Sequence, residues 1–567
     1  MAISTPVQAM TSLETKLAPA EAEDDIRSQT LQGNTGEADG EKHESHKEGD
    51  AEAQHPSTTG LVLIAAGLCL SVFLVSLDQT IVSNAIPKIT DEFGSTGDIG
   101  WYGSAFLLAV AAFQLFYGKA YSFFSIKIIF MLAIGLFELG SLVCALAPTS
   151  PALIVGRAIA GLGAAGIMPG AIIIISHSVP LRRRPIFLGS MGGMFGIASV
   201  CGPLLGGVFT DRLTWRWCFY INLPFGGFAA LTILLFFKPP DRPVLAQMSI
   251  LDRVKKIDWL GLLVFIPSIV SLLLALQWGG VTYPWKNGRI IGLFVVFGVT
   301  AIAFGIVQFW RKDDAIIPPR IITQRSVAAG VWYALFNAAG FMIVVYYTPI
   351  WHQVIGHVSA VDSGVRLLPV LIGLVITVML SGALVSVFGY YTPFMILASI
   401  LAPIGEGLMF TWTVDTTFGQ WFGYEALTGL AVGMGMQQPL VAVQTVLPID
   451  DVPVATSAVA FAQTLGGAIF IAIAQVVFQN VLIANLPAGN YDRSGLLTAG
   501  VTDIITKVPP QLLPSILVAF NEALTHVYIV SICMSALTIV GSLAMEWRSV
   551  KKKTSSGASK EPAGGQA

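Results

Sequence analysis

The chain has 567 residues, of which 54% are hydrophobic and only 12% charged, with a formal net charge of −2 and a mean hydropathy of +0.72. Soluble domains carry about twice that charged fraction, so an ordinary soluble globular protein is excluded and an all-α polytopic membrane protein is expected. The small net charge conceals an asymmetry, because residues 1–57 hold twelve Asp and Glu against four Lys and Arg.

Residues 1–57 are also rich in Ser, Gly and Thr and poor in aromatics, the composition of a disordered acidic tail. No apolar core of a secretory leader is visible in them. Apolar runs of about 20 residues, the length that crosses a bilayer, then recur near 59–82, 100–120, 128–147, 152–176, 186–210, 217–237 and 257–277. Seven more lie near 289–310, 327–350, 364–388, 391–413, 420–443, 454–478 and 524–546. Fourteen spans put both termini on one side. Lys and Arg in loops on that side, Arg182 to Arg184 and Lys551 to Lys553 among them, outnumber those on the other by eighteen to eight. That bias predicts cytoplasmic termini. Cys69, Cys144, Cys201, Cys218 and Cys533 all fall in apolar runs and read as small core residues, not a disulfide framework.

The sequence partly repeats itself. Residues 118–131 and 382–395 match at Gly118/Gly382, Ser122/Ser386, Phe124/Phe388, Phe130/Phe394 and Met131/Met395, a constant offset of 264. At offset 268 the run starting at Arg157 faces the run starting at Glu425, and Glu138 faces Glu406. Two six-helix bundles are expected, at 58–238 and 326–547, with linker loops and inserted helices seven and eight at 239–325 and a cytoplasmic tail at 548–567. Parallel repeats of this kind bind substrate at the midplane between halves.

The segment from Arg157 to Pro224 concentrates the unusual chemistry. Arg157 lies inside an apolar run, where a charge is costly enough to be kept for function or a buried pair. Gly192 and Gly196, then Gly202 and Gly206, form a small-residue stripe along which another helix can approach, and Pro203 within it invites a kink.

With these motifs in view the chain resembles the major facilitator superfamily, and within it the fourteen-span drug:proton antiporters of the fungal toxin efflux type. Leu77-Asp78-Gln79-Thr80 followed by Ala85-Ile86-Pro87 is similar to the family's first-span motif, and Arg157 to Gly166 to its fourth. Gly196, Gly202, Pro203, Gly206 and Gly207 resemble the fifth-span motif associated with antiport. Trp215 to Pro224 and Ser363 to Pro369 look like fourteen-span signatures. One loop departs from the family pattern: Gly118-Lys119-Ala-Tyr-Ser122-Phe-Phe-Ser125-Ile126-Lys127 has Ser122 and Ile126 where an Asp and an Arg are usual, which weakens the expected charge latch between halves.

The resemblance implies a proton-coupled exporter of a hydrophobic small molecule, a fungal toxin, secondary metabolite or xenobiotic. Proton coupling is expected of Arg157, Asp78 and Glu425, with Glu425 occupying the repeat position of Arg157. Glu138 and Glu406 are assigned either coupling or a local hydrogen-bonding role. Gln114, Tyr333, Asn337, Phe341, Gln437 and Gln438 are the candidate substrate contacts, since a large apolar pocket with few polar groups suits a bulky uncharged ligand. Trp332, Tyr346 and Tyr347 on the same ninth span read as pocket lining or as aromatic packing. One charge moved through 100 mV is worth about 2.3 kcal/mol, and each pH unit adds about 1.4 kcal/mol, enough to sustain a steep gradient. No ATP-binding Gly-x-x-x-x-Gly-Lys-Ser/Thr and no metal-ligand spacing occur. The expected protein is therefore not an enzyme and has no cofactor or metal. It is expected to act as a monomer in the plasma membrane, or alternatively a vacuolar or vesicle membrane, with no nucleic-acid partner. A carrier of basic amino acids or siderophores on the same fold is the alternative.

Overall fold

The computed structural model describes residues 58–95, 98–240, 242, 247–280, 282–486 and 511–551. The expected tail at 1–57 and most of 548–567 therefore lie outside the described residues. Among the described residues, fourteen helices are long and apolar enough to cross a membrane. The first six are α1 (Thr58–Phe93), α2 (Ile99–Phe123), α3 (Ile126–Ala145), α4 (Ser150–Ser178), α5 (Arg184–Arg212) and α6 (Asn222–Phe236). Two more follow, α7 (Trp259–Trp278) and α8 (Gly288–Arg311). The last six are α9 (Arg325–Val354), α10 (Leu368–Phe388), α11 (Thr392–Phe410), α12 (Phe418–Met436, continued by Gln438–Val446), α13 (Val452–Asn485) and α14 (Leu513–Ala544).

Helices are the form such runs must take, because no water in the bilayer core is available to satisfy backbone groups. Their starts are written in the sequence: α4, α5, α10, α11, α13 and α14 carry proline in the first turn, where a missing N–H costs nothing. Helix α10 stops at Gly389, whose φ of 96° is the left-handed conformation that favours glycine.

Packing follows the repeat. In the first half α1 lies on α5 and α6, α4 on α2 and α3, and α3 on α6. In the second, α9 lies on α13 and α14, α12 on α10 and α11, and α11 on α14, the same pairs with eight added to each number. The two halves meet through α5 on α10 and α2 on α13, which are again equivalent. Inserted helix α7 packs on α2 and α13, and α8 packs on α7. Only 6% of the α8 span is buried, so that helix is nearly all bilayer-facing surface.

Helix bounds differ from the hydropathy reading where polar residues are satisfied by tertiary contacts. The run expected to start at 524 begins at Leu513, because Asn521 accepts from Trp351 Nε1 at 2.8 Å and donates to the Trp412 carbonyl at 2.9 Å. Helix α1 continues past 82 through Pro87 to Phe93. Helix α5 carries Pro203 internally and still runs unbroken from Arg184 to Arg212.

Candidate functional site

The matched glycines of the repeat build the junction between halves. A Cβ on Gly118 of α2 would stand 2.9 Å from Ser457 and 3.3 Å from the Pro453 carbonyl of α13. A Cβ on Gly382 of α10 would collide with the Pro185 carbonyl of α5. Pro185 and Pro453 each open the fifth helix of their half, so the two contacts are one contact repeated. Up-and-down connectivity puts both on the face where α1 begins and α14 ends, called the termini face below. From there α5 follows α10 through Gly189, Gly192 and Gly196. At Gly202 its partner changes: a Cβ would run into Thr80 of α1, whose hydroxyl donates to the Ala198 carbonyl at 3.1 Å. The small-residue stripe thus serves two helices. Its nearer end faces the opposite half, while Gly202 faces α1; Gly206 is buried and Gly207 partly so.

Toward the opposite face each half holds one buried acid–base contact. Arg157 Nη1 of α4 donates to Asp78 Oδ2 of α1 at 2.5 Å, and both side chains are almost fully buried. Arg157 Nε donates to the Tyr102 carbonyl at 2.7 Å, and the guanidinium lies 4.6 Å from the Phe106 ring centroid. Asn222 of α6 donates to Asp78 Oδ1 at 3.3 Å and to Ser141 at 3.0 Å. Each partner answers the cost of burying a charge by pairing it and satisfying its remaining donors and acceptors.

In the second half His352 Nε2 of α9 stands 2.7 Å from Glu425 Oε1 of α12, both side chains 0% exposed. The imidazole is walled by Trp351, Trp412 and Trp421, with ring centroids 5.2, 6.1 and 4.9 Å away. His352 Nδ1 and Glu425 Oε2 have no hydrogen-bond partner. Helices α9 and α12 are the repeat equivalents of α1 and α4, so a buried contact between an acid and a base recurs with the two exchanged. The first half has its acid on the first helix and its base on the fourth; the second half has the reverse.

The half-buried Glu138 and the buried Glu406 are also equivalent by the repeat. Glu138 of α3 lies against Gly226 of α6, one turn from Ser141, with neither carboxylate oxygen hydrogen-bonded. Glu406 of α11 accepts from Ser535 of α14 at 2.8 Å and leaves Oε2 without a partner.

The six expected substrate contacts separate into two groups. Gln114 of α2 accepts from Thr464 of α13 at 3.2 Å, Gln437 lies against Gly192 of α5, and Phe341 of α9 meets Phe195 of α5 edge-on at 6.3 Å. These three join the halves. Gln438 donates to Ser381 of α10 at 3.1 Å, and Tyr333 is buried against Gly435 and Gly541 inside the second half. Asn337 is buried on α9, one turn from each of Tyr333 and Phe341. Trp332 and Tyr346 are 41% and 50% exposed and belong to the outer surface of the bundle, whereas Tyr347 is buried and donates to Gln475.

The altered loop after α2 is held by other means than the family's latch. Ser122 bonds only to the Gly118 carbonyl of its own helix, while Arg242 Nη1 donates to the carbonyls of Tyr121 and Ser122 at the end of α2. Lys119 is buried and donates to the Asp313 carbonyl at 3.1 Å. His352, Asn222 and Thr464 escaped the sequence reading. The repeat gives no signal for His352, which follows Asp78 by 274 residues where the offsets are 264 and 268.

A model described as the Major Facilitator Superfamily matches residues 68–471. An MFS-type efflux pump of Arthroderma benhamiae is 48% identical over 501 residues, covering 88% of this chain and 94% of that protein. The efflux pump aflT of Aspergillus parasiticus is 47% identical over 88% of this chain and 98% of its own. Among solved structures, the human organic anion transporter MFSD10 superposes with a TM-score of 0.54 at 13% identity, covering 84% of this chain and 99% of that one. A double-tryptophan mutant of XylE gives 0.53 at 14% identity, covering 85% and 95%. At that identity the solved structures speak for the fold alone.

Proposed function

The chain belongs to the Major Facilitator Superfamily, and on that footing we propose that it is a proton-coupled antiporter exporting a hydrophobic small molecule, in the manner of the fungal efflux pumps it resembles. The observation that carries this reading is the mirrored pair of buried acid–base contacts, Asp78–Arg157 and His352–Glu425, on equivalent helices of two six-helix halves. Asp78 and Glu425 are the proton carriers. While deprotonated, Asp78 holds Arg157 and thereby ties α4 to α1. A proton arriving on Asp78 cancels that charge and leaves Arg157 to the Tyr102 carbonyl and the Phe106 ring, which loosens the tie. Glu425 and His352 do the same between α12 and α9. Halves spanning about 58–238 and 326–547 then rock about the α5–α10 and α2–α13 contacts, and a lipophilic substrate binds between them near Gln114, Asn337, Phe341 and Gln437. With both termini in the cytoplasm of a plasma-membrane protein, the Gly118 and Gly382 junctions form the cytoplasmic gate.

The test is transport by purified protein in liposomes, using as substrate the metabolite that accumulates inside cells when the gene is deleted. An imposed pH gradient drives its accumulation in this reading. Unchanged accumulation after the gradient is collapsed would refute proton antiport, and normal transport by both Arg157→Ala and Glu425→Gln would refute the coupling assignment.

A further inference from the structure

A groove of about 610 Å³ lies between α10 and α12 of the second half. Its floor is made of small residues. A Cβ on Gly373 would stand 2.9 Å from the Leu430 nitrogen and 3.0 Å from the Ala426 carbonyl, so the two helices touch backbone to backbone there. Ile372 and Ile376 on one helix and Phe418 and Phe422 on the other rise beside that floor and are exposed. The groove runs along α10 and its lead-in from Val365 to Ile376, about 16 Å at 1.5 Å per residue. That is the depth of one leaflet of a hydrocarbon core about 30 Å thick.

One charged residue lines it. Arg366 sits at the end of the groove nearest the membrane face opposite the termini, with its guanidinium 5.6 Å from the centroid of the Trp421 ring. No carboxylate among the described residues lies within ion-pair distance of it. Arg366 Nη1 also lies near the end of α9, where a Cβ on Gly356 would stand 3.0 Å from it, and its charge reaches the buried Glu425. A cation with no salt bridge, beside tryptophan and heading an apolar trough one leaflet deep, is complementary to a molecule with one phosphate and one long hydrocarbon chain. The plain alternative is an arginine that merely snorkels toward the interface, with the groove filled by whatever lipid passes.

We propose that this groove is a binding site for a glycerophospholipid, one acyl chain lying over Gly373 and Ala426 and the phosphodiester held by Arg366. The proposal does not depend on which molecule the protein transports. Arginine suits it because its planar fork binds phosphate oxygens in pairs, which lysine cannot do.

The full chain in phosphatidylcholine nanodiscs tests the proposal, with trace phosphatidylcholine bearing a photoreactive diazirine on one acyl chain and, separately, a diacylglycerol bearing the same chain. Peptide mapping after illumination should place the phospholipid label on residues 365–376 and 418–430. Arg366→Gln should reduce that labelling by about fivefold or more, the loss expected for one basic contact, with Arg366→Lys intermediate and thermal melting unchanged. The diacylglycerol should label this region no more than other bilayer-facing helices in any variant. Equal labelling by both lipids, or labelling indifferent to Arg366→Gln, would reduce the groove to ordinary annular lipid and overturn the proposal. Displacement of the label by the transported metabolite would overturn it in favour of a lateral substrate entrance.

Discussion

His352 and Glu425 stand on helices α9 and α12 in the relation that Asp78 and Arg157 hold on α1 and α4, with acid and base exchanged. The exchange has a consequence for energetics. Arginine is always charged, so the first pair changes state only through Asp78. In the second pair both members are ionisable side chains, so its charge state is not fixed by either partner alone. The two halves are thus similar in fold and unlike in chemistry, and their variants should behave differently.

Arg157→Ala leaves Asp78 buried without its charge partner. Removing one member of such a pair costs about 3–5 kcal/mol, so this variant should melt well below the parent and lose gradient-driven transport. Asp78→Asn combined with Arg157→Gln removes both charges and should regain most of the melting temperature without regaining transport. Thermal unfolding and liposome uptake, measured on all three, separate the two effects. A double variant that transports would show that the pair is structural.

Glu425→Gln should separate coupling from carriage. The glutamine keeps the shape and a hydrogen-bonding contact with His352 but carries no proton, so accumulation against a gradient should fall at least about tenfold. Exchange of labelled for unlabelled substrate across the same membrane should persist. His352→Asn should share the accumulation defect if the pair works as a unit. Loss of exchange as well as accumulation in Glu425→Gln would instead make this residue a substrate contact.

Gly118→Leu and Gly382→Leu place bulk at equivalent junctions between the halves. Overpacking costs about 1–3 kcal/mol, and it should fall on the conformation closed at the termini face, because that is where Pro453 and Pro185 approach. Cysteine accessibility from that face should rise in both variants while transport drops. Gly202→Leu is the contrast: its neighbour is Thr80 in its own half, so it should destabilise the first bundle without biasing the gate.

A surface contact gives a pH dependence whose sign can be fixed. Glu92, beyond the apolar part of α1, accepts from Arg216 at 3.1 Å and Trp215 Nε1 at 2.6 Å, and these hydrogen bonds hold its carboxyl below the ordinary value of 4.5. A carboxyl depressed in the folded state adds stability above its unfolded value, and that contribution is lost as pH falls through the lower folded value. Melting temperature should therefore fall as pH drops below 4.5, and Glu92→Gln should flatten this acid limb. Glu92 is 44% exposed, so the effect is small.

Much of this was legible in the sequence, for physical reasons. Spans are readable because the bilayer demands length and apolarity. The repeat was readable at Gly118 and Gly382 because both sites forbid a side chain, which keeps them alike. Asp78, Arg157 and Glu425 each stood out as charges in apolar runs. Their pairing did not, since contacts across 79 and 73 residues depend on which helix faces meet. His352 was hidden because Trp412 and Trp421, which wall it, lie far along the chain, and a lone histidine in an apolar span reads as core. The change of partner along α5 was equally invisible, because Gly196 and Gly202 are the same residue facing different helices.

The most direct test of the account is the proton count. A pH-sensitive dye sealed inside liposomes should report proton flux on addition of the exported metabolite, opposite in direction to substrate movement and absent in Asp78→Asn. Substrate movement in the parent protein with no accompanying proton flux would contradict it.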